Sequence, residues 1–130
     1  MRAVVVEDYD HIENITIRET PQPEPSSETV RVRVQAAAVG FVDGLKAQGL
    51  YQTKDPLPFI PGSEFAGIVD AVGSQVKGFA PGTPVIGMVR NGGLAEYICV
   101  PPASLFVTPN GVEPEIGASF FANYLTALSP

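Results

Sequence analysis

The residue types that most often bind metals are scarce in this sequence. Its 130 residues include one cysteine, Cys99, and one histidine, His11, which lie far apart in the chain. Structural zinc takes four thiolate or imidazole ligands, and catalytic zinc takes about three with a water. We therefore predict a site without metal, and a lone cysteine excludes an internal disulfide. His11 is expected to be exposed on a strand, and Cys99 to be a buried, unreactive thiol.

Tyr51 is the side chain best suited to acid–base chemistry. It follows Gly49 and Leu50, ahead of a proline-rich stretch that predicts a loop. A phenol can donate a proton or a hydrogen bond to a carbonyl oxygen. We predict that Tyr51 is catalytic and contacts the substrate. The alternatives are that its ring only covers the loop, or that solvent supplies the proton.

Two carboxylates have less definite roles. Asp43 stands just before a predicted helical turn, where an aspartate commonly accepts hydrogen bonds from backbone N–H groups as a cap. Its other possible role is to support an active site from behind. Glu64 opens a predicted strand and is expected to be a buried structural carboxylate, with no chemistry assigned to it.

A phosphate-binding glycine loop is missing from the sequence. No G-x-G-x-x-G pattern follows a strand, and Gly92-Gly93, Gly111 and Gly117 have the wrong spacing. Such a turn presents the N-terminus of a helix to the pyrophosphate of a dinucleotide. The sequence therefore predicts no binding site for these phosphates within its 130 residues.

The elements that must position these residues are mostly short strands. Thr29–Ala37 alternates most clearly, with Val30, Val32 and Val34 on one face. Short helices are predicted over Val42–Gln48 and from Glu113, with Pro114 in the first turn. The other predicted strands are Arg2–Glu7, Ile12–Ile17, Glu64–Val72, Thr83–Val89, Leu94–Val100 and Leu105–Thr108. This pattern favours one mainly β domain, a barrel or a sandwich.

The charge and hydropathy of the chain exclude several classes of partner. Eight basic and fourteen acidic residues give a net charge of −6 without a basic cluster, which argues against nucleic acid. No apolar run reaches the roughly 18 residues of a membrane span. The early acidic residues do not fit a signal peptide. We expect a cytoplasmic protein whose partner is neither a membrane nor a nucleic acid.

One long motif resembles the medium-chain dehydrogenase/reductase superfamily. Pro61–Val69, Val72-Gly73 and Gly78–Val85 together resemble its GxExxGxVxxVGxxVxxFxxGdxV pattern, and Gly92–Tyr97 resembles its GgyAEy strand. The resemblance covers nearly the whole chain. It implies that residues 1–130 form the GroES-like catalytic domain, a partly open β-barrel, and end near the junction to a Rossmann domain that this chain lacks.

The segment Val39–Asp43 is similar to the VNxxD segment of the zinc-free quinone oxidoreductases, with Gly40 where the family has Asn. The three zinc-ligand positions of related alcohol dehydrogenases correspond to Gly40, Ser63 and Ala122. Glycine and alanine have no ligand atom, and serine is rarely a ligand, so the resemblance also implies a metal-free site.

The resemblance further implies which residues meet cofactor and substrate. Gly40, Phe41 and Thr126 would contact the cofactor, and Phe41 and Tyr51 the substrate. The alternative for Thr126 is a helix residue that bonds back to a carbonyl. Phe41 and Phe59 fit an apolar pocket or the core equally well.

The implied activity is hydride transfer from NADPH to a quinone or an α,β-unsaturated carbonyl, by an intact enzyme that is a homodimer. The residues that would distinguish NADPH from NADH are not in this chain. The isolated chain is expected to be inactive. A different class of function, a stand-alone binding module or scaffold, is suggested by the missing nucleotide site. A zinc alcohol dehydrogenase relative is a third alternative.

Overall fold

The chain folds into two antiparallel sheets and two α-helices, as described by a computed structural model. The description covers residues 1–128, and for 121–126 the backbone alone. The strands are β1 (Arg2–Val5), β2 (Thr16–Glu19), β3 (Val30–Ala38), β4 (Glu64–Val72), β5 (Pro84–Met88), β6 (Tyr97–Val100) and β7 (Leu105–Val107); the helices are α1 (Phe41–Ala47) and α2 (Pro114–Leu128). The expectation of a mainly β fold with short helices is confirmed.

The larger sheet has the strand order β6-β3-β4-β5-β7, and β1 and β2 form a separate pair. In the described part of the chain neither sheet closes on itself, which agrees with a partly open barrel. The predicted strands around the Asn91-Gly92-Gly93 loop exist, but β5 and β6 lie apart because β3 and β4 stand between them.

The main core lies on one face of the larger sheet, the face to which the alternating valines of β3 were predicted to point. Val30, Val32 and Phe65 have no solvent exposure, and the partly buried Val34 packs against the same cluster. At Gly67 the backbone of β3 comes so close that a Cβ would lie 2.1 Å from the Arg33 carbonyl oxygen. The missing side chain of Gly67 allows β3 and β4 to pair across this point.

The prediction of a strand over Ile12–Ile17 is wrong. A 3₁₀ helix occupies Ile12–Asn14, and the strand begins only at Thr16. The Asp10 carboxylate accepts the His11 backbone N–H at 2.7 Å and the Asn14 side-chain N–H at 3.0 Å. An aspartate that bonds to the next residues of its own chain favours a turn over an extended strand.

Candidate functional site

A cleft of about 560 Å³ with a largely apolar lining lies beside α1. That volume falls within the range typical of small-molecule sites. Among the residues whose side chains are described, Asp43 and Gln48 are the two polar ones that line it. The remaining lining residues are Val4, Ile12, Ile15, Val39, Gly40, Phe41, Gly44, Leu45, Pro61 and Leu94.

Asp43 joins two segments of the cleft wall. One carboxylate oxygen accepts the Gly40 N–H at 2.8 Å, and the other accepts the Gly62 N–H at 3.1 Å. The side chain is only 5% exposed. Asp43 was expected just before the helix, but it lies in the first turn of α1 and bonds back to Gly40. The capping role is confirmed, and the bond to Gly62 adds a long-range one.

Gly62 can take its position only because it has no side chain. Its φ of +107° lies in the region that favours glycine, and a Cβ there would lie 2.6 Å from the Leu94 backbone nitrogen. The Gly62 carbonyl accepts the Gly93 N–H at 2.9 Å, and the Pro61 carbonyl accepts the Leu94 N–H at 3.0 Å. These bonds fix the wall formed by Pro61 and Leu94.

Phe41 and Phe59, which the sequence left undecided, have different environments. Phe41 lines the cleft and is 83% exposed, beside the exposed Val39. Phe59 is 9% exposed and packs with Val6 and Ala47 in a small second core. Phe41 is therefore the aromatic ring available to a ligand of this cleft.

Tyr51 does not line the cleft. Its ring lies over the Lys46 ammonium group, with Nζ 5.8 Å from the ring centre. Lys46 is 8% exposed and donates to the Arg90 carbonyl at 3.0 Å and to the Asn91 side-chain oxygen at 3.4 Å. The structure therefore brings Gly40 and Phe41 together, and it places Tyr51 on a neighbouring polar cluster.

Asp55 is the buried anion of that cluster. It is 5% exposed, and its Oδ1 accepts the Arg90 Nε–H at 2.9 Å. Burial alone raises the pKa of Asp55, but hydrogen bonds from Arg90 and Asn91 and the charges of Arg90 and Lys46 together hold this pKa below its usual value. The Tyr9 hydroxyl donates to the Asp55 carbonyl oxygen. The loop that carries Tyr51 is thus attached to α1 and to the loop after β5.

The other predicted residues have varied surroundings. Ser63 is half-buried just before β4, and Glu64 opens that strand as expected. His11 is exposed but precedes the 3₁₀ helix instead of lying in a strand. Cys99 pairs with Arg31 across β6 and β3 and is only partly buried, and desolvation raises the pKa of its thiol. The side chain of Thr126, like that of Ala122, lies outside the described residues.

The residues present fit one end of a nicotinamide dinucleotide. Gly40 has no side chain, and Phe41 offers an exposed aromatic face beside the apolar cleft, so a planar ring can approach the backbone there. The sequence contains no glycine-rich turn for the phosphates.

Lys46, Asp55 and Gln48 were not singled out by sequence. Lys46 and Gln48 fall within the predicted helix, where a charged or amide side chain normally indicates a solvated face. Lys46 lies one helical turn after Asp43. Its burial could not be predicted, because it depends on the distant Arg90–Asn91 loop, whose oxygens accept hydrogen bonds from the Lys46 ammonium group. Asp55 stands before a proline, which predicts an extended loop and gives no sign of burial.

The described residues hold neither a cluster of metal ligands nor a membrane-spanning helix. No group of three or more His, Cys, Asp or Glu side chains there is arranged to hold a metal ion. None of the helices in that part of the chain is long and apolar enough to cross a bilayer.

Comparison with known proteins gives consistent matches. Residues 26–110 match the family model described as the alcohol dehydrogenase GroES-like domain. The chain is 32% identical over 127 residues to the mouse synaptic vesicle membrane protein VAT-1 homolog-like, covering 98% of this chain and 30% of that protein. The chain thus spans about a third of the length of the curated relatives it matches.

Solved structures show the same fold. The human VAT-1 homolog-like protein superimposes with a TM-score of 0.93 at 31% identity, over 98% of this chain and 41% of that one. A quinone oxidoreductase from Thermus thermophilus, solved also in complex with NADPH, gives a TM-score of 0.82 at 34% identity, over 98% of this chain and 39% of that one.

Proposed function

The chain belongs to the alcohol dehydrogenase GroES-like domain family, and on that premise we propose that its cleft receives the acceptor in an NADPH-dependent reduction of quinones or α,β-unsaturated carbonyls. Its relatives include quinone oxidoreductases, so an oxidoreductase domain is the general conclusion. NADPH as donor, this class of acceptor and a homodimeric complete protein belong to the proposal.

The main support for the proposal is the apolar lining of the cleft. Apolar residues line most of it, and Asp43 is 5% exposed with both carboxylate oxygens accepting backbone N–H groups. Such a cleft suits a flat, uncharged acceptor better than an anion or a sugar, because it offers few partners for polar groups.

The residues have distinct roles in this proposal. Reduced nicotinamide, when bound, supplies the hydride. Gly40 and Phe41 hold its ring against the acceptor, and the cleft excludes water and orients the two reactants. Tyr51 donates a hydrogen bond or a proton to the carbonyl oxygen, and Thr126 contacts the cofactor. For Tyr51 this requires the loop that carries it to turn the phenol from Lys46 towards the cleft.

The proposal also assigns a metal-free mechanism. Gly40 and Ser63 stand at two positions where the resemblance places zinc ligands, and Gly40 has no ligand atom to offer. Without a Lewis acid, an acceptor that is already polarised by conjugation is the suitable substrate. Metal analysis of the purified active protein tests this point, since one zinc per chain required for turnover would contradict it.

An activity assay of the complete gene product that carries these residues tests the proposed function. We expect oxidation of NADPH that depends on added 1,4-benzoquinone or 2-cyclohexen-1-one. Phe41→Ala should lower kcat/KM about tenfold or more, because it removes the aromatic wall of the cleft. Val107→Ala, which removes an exposed apolar side chain on β7 outside the cleft, is the matched control.

Two outcomes would count against the proposal. No turnover with either acceptor, in a folded protein that still binds apolar ketones, would favour the binding-module alternative. An equal loss of kcat/KM in Phe41→Ala and Val107→Ala would show that the activity does not depend on the cleft.

A further inference from the structure

Gln48 is a polar side chain of the cleft that has a donor and an acceptor not used by the described residues. Asp43, the other polar lining residue, is only 5% exposed, and its two carboxylate oxygens accept the Gly40 and Gly62 N–H groups. The half-buried Gln48 side chain makes one hydrogen bond within the described part of the chain, from Nε2 to the Gly44 carbonyl oxygen at 3.0 Å. One N–H and the oxygen Oε1 are left for a ligand.

The Gly44 carbonyl fixes the orientation of this amide. A carbonyl oxygen only accepts hydrogen bonds, so the atom of Gln48 that faces it must be the nitrogen. The backbone N–H of Gln48 donates to the same carbonyl at 3.3 Å, and Gly49 follows with a φ of +70° that ends the helix. Gln48 is therefore held at the end of α1 by its backbone and its side chain together.

We propose that Gln48 determines the specificity of the cleft and selects a carbonyl compound that also carries a hydroxyl group. This inference rests on the proposed function, since it assumes that the cleft is the acceptor site. A plain quinone or enone offers only acceptors, so Oε1 stays without a donor when the ligand displaces water. A hydroxyl on the ligand donates to Oε1, and a carbonyl accepts the free N–H.

A pair of unreactive ketones tests the inference without cofactor or turnover. The ¹⁵N-labelled chain is titrated with 4-hydroxycyclohexanone and with cyclohexanone, and the backbone signals of Gly40 and Gly44 and the side-chain amide of Gln48 are followed by NMR. We expect the hydroxylated ketone to bind about three- to tenfold more tightly, as for one added hydrogen bond.

Gln48→Met keeps the length of the side chain and removes its hydrogen bonds. This variant should bind the two ketones equally, while Gln52→Met, at an exposed glutamine outside the cleft, should keep the preference. The wild-type comparison of the two ketones is informative even if Gln48→Met fails to fold.

The outcomes separate the inference from the proposed function. Binding of both ketones in the cleft with equal affinity, or a preference that survives in Gln48→Met, would overturn the role of Gln48 and leave the cleft as the acceptor site. If neither ketone shifts the Gly40 and Gly44 signals, the cleft assignment fails and the inference fails with it.

Discussion

Asp43 links the sequence to the shape of the cleft through two hydrogen bonds. One is local, to Gly40, and the other spans 19 positions, to Gly62. A buried carboxylate that accepts two N–H groups satisfies both donors at once. The segment that contains Gly40 and the segment that contains Gly62 therefore keep a fixed separation.

Replacing Asp43 by Asn should destabilise the chain by about 1–3 kcal/mol, because an amide has only one acceptor oxygen and points N–H at the second donor. Urea unfolding measures this difference. Asp8→Asn, at an exposed aspartate, is the control and should change the free energy of unfolding little. An unchanged midpoint for Asp43→Asn would show that the two bonds do not hold the wall.

Kinetics can decide whether the Tyr51 phenol donates to the carbonyl oxygen of the acceptor. Tyr51→Phe in the complete protein keeps the ring over Lys46 and removes only the hydroxyl. If the phenol donates to the carbonyl, kcat should fall about tenfold or more while the cofactor KM stays the same. Kinetics equal to those of the unaltered protein would remove its acid role and leave solvent as the proton donor.

At this scale the motif predicted which residues lie together better than it predicted their individual contacts. Gly40 and Phe41 were placed at the site by the motif around them, and both line the cleft. The second bond of Asp43 could not be predicted, because it depends on the approach of the distant Gly62 backbone. The place of Gln48 in the cleft depends on which segments pack beside α1. The environment of Phe59 could not be predicted, because an apolar residue in the sequence fits a core and a pocket equally well.

At the scale of elements, an ion pair holds one loop in place and a glycine allows the backbone conformation of another. The loop after α1 is attached through Asp55 and Arg90 to the loop after β5, and Lys46 of α1 donates a hydrogen bond to the Arg90 carbonyl. The turn before β4 depends on Gly62. Each attachment predicts a separate effect on stability.

The Asp55 attachment should weaken in acid. The folded pKa of Asp55 lies below its usual value, so its contribution to stability is complete above the unfolded pKa of about 4 and is lost as pH falls through the lower folded pKa. The difference in unfolding free energy between the unaltered chain and Asp55→Asn should therefore be larger at about pH 7 than at about pH 3. Urea unfolding at both pH values measures it; a difference that grows towards acid would contradict this account.

Gly62→Ala should cost about 1–3 kcal/mol more than Gly78→Ala. Both glycines have positive φ, +107° and +89°, so both variants carry backbone strain. Only at Gly62 does a Cβ strike the backbone, whereas at Gly78 it meets no heavy atom of the described chain within 4 Å. Equal thermal midpoints for the two variants would show that the wall around Leu94 yields easily.

Strand prediction succeeded where alternation is strict. β3 matches its predicted range closely, because valines at every second position fix one face against the core. β4 matches its range as a largely apolar run that ends before the turn at Gly73. It failed at Ile12–Ile17, where the apolar residues are spaced by three and then by two, and where Asp10 closes a turn. The separation of β5 from β6 could not be predicted from loop length alone.

For the whole molecule, the resemblance predicted more than periodicity did. Short alternating strands left a barrel and a sandwich equally open. The glycine-rich motif of Pro61–Val85 identified the fold, because its glycines mark tight turns and close packing such as that at Gly62 and Gly67. The same motif says little about the acceptor, which depends on the side chains of the cleft.

The transfer of deuterium from labelled cofactor tests the central claim most directly. The complete gene product is incubated with 2-cyclohexen-1-one and NADPH that carries deuterium at either face of C4, and the product is analysed by mass spectrometry. We predict that one of the two cofactors gives cyclohexanone with one deuterium at the carbon β to the carbonyl. Product without deuterium from either cofactor, or no reduction of the enone, would contradict the account.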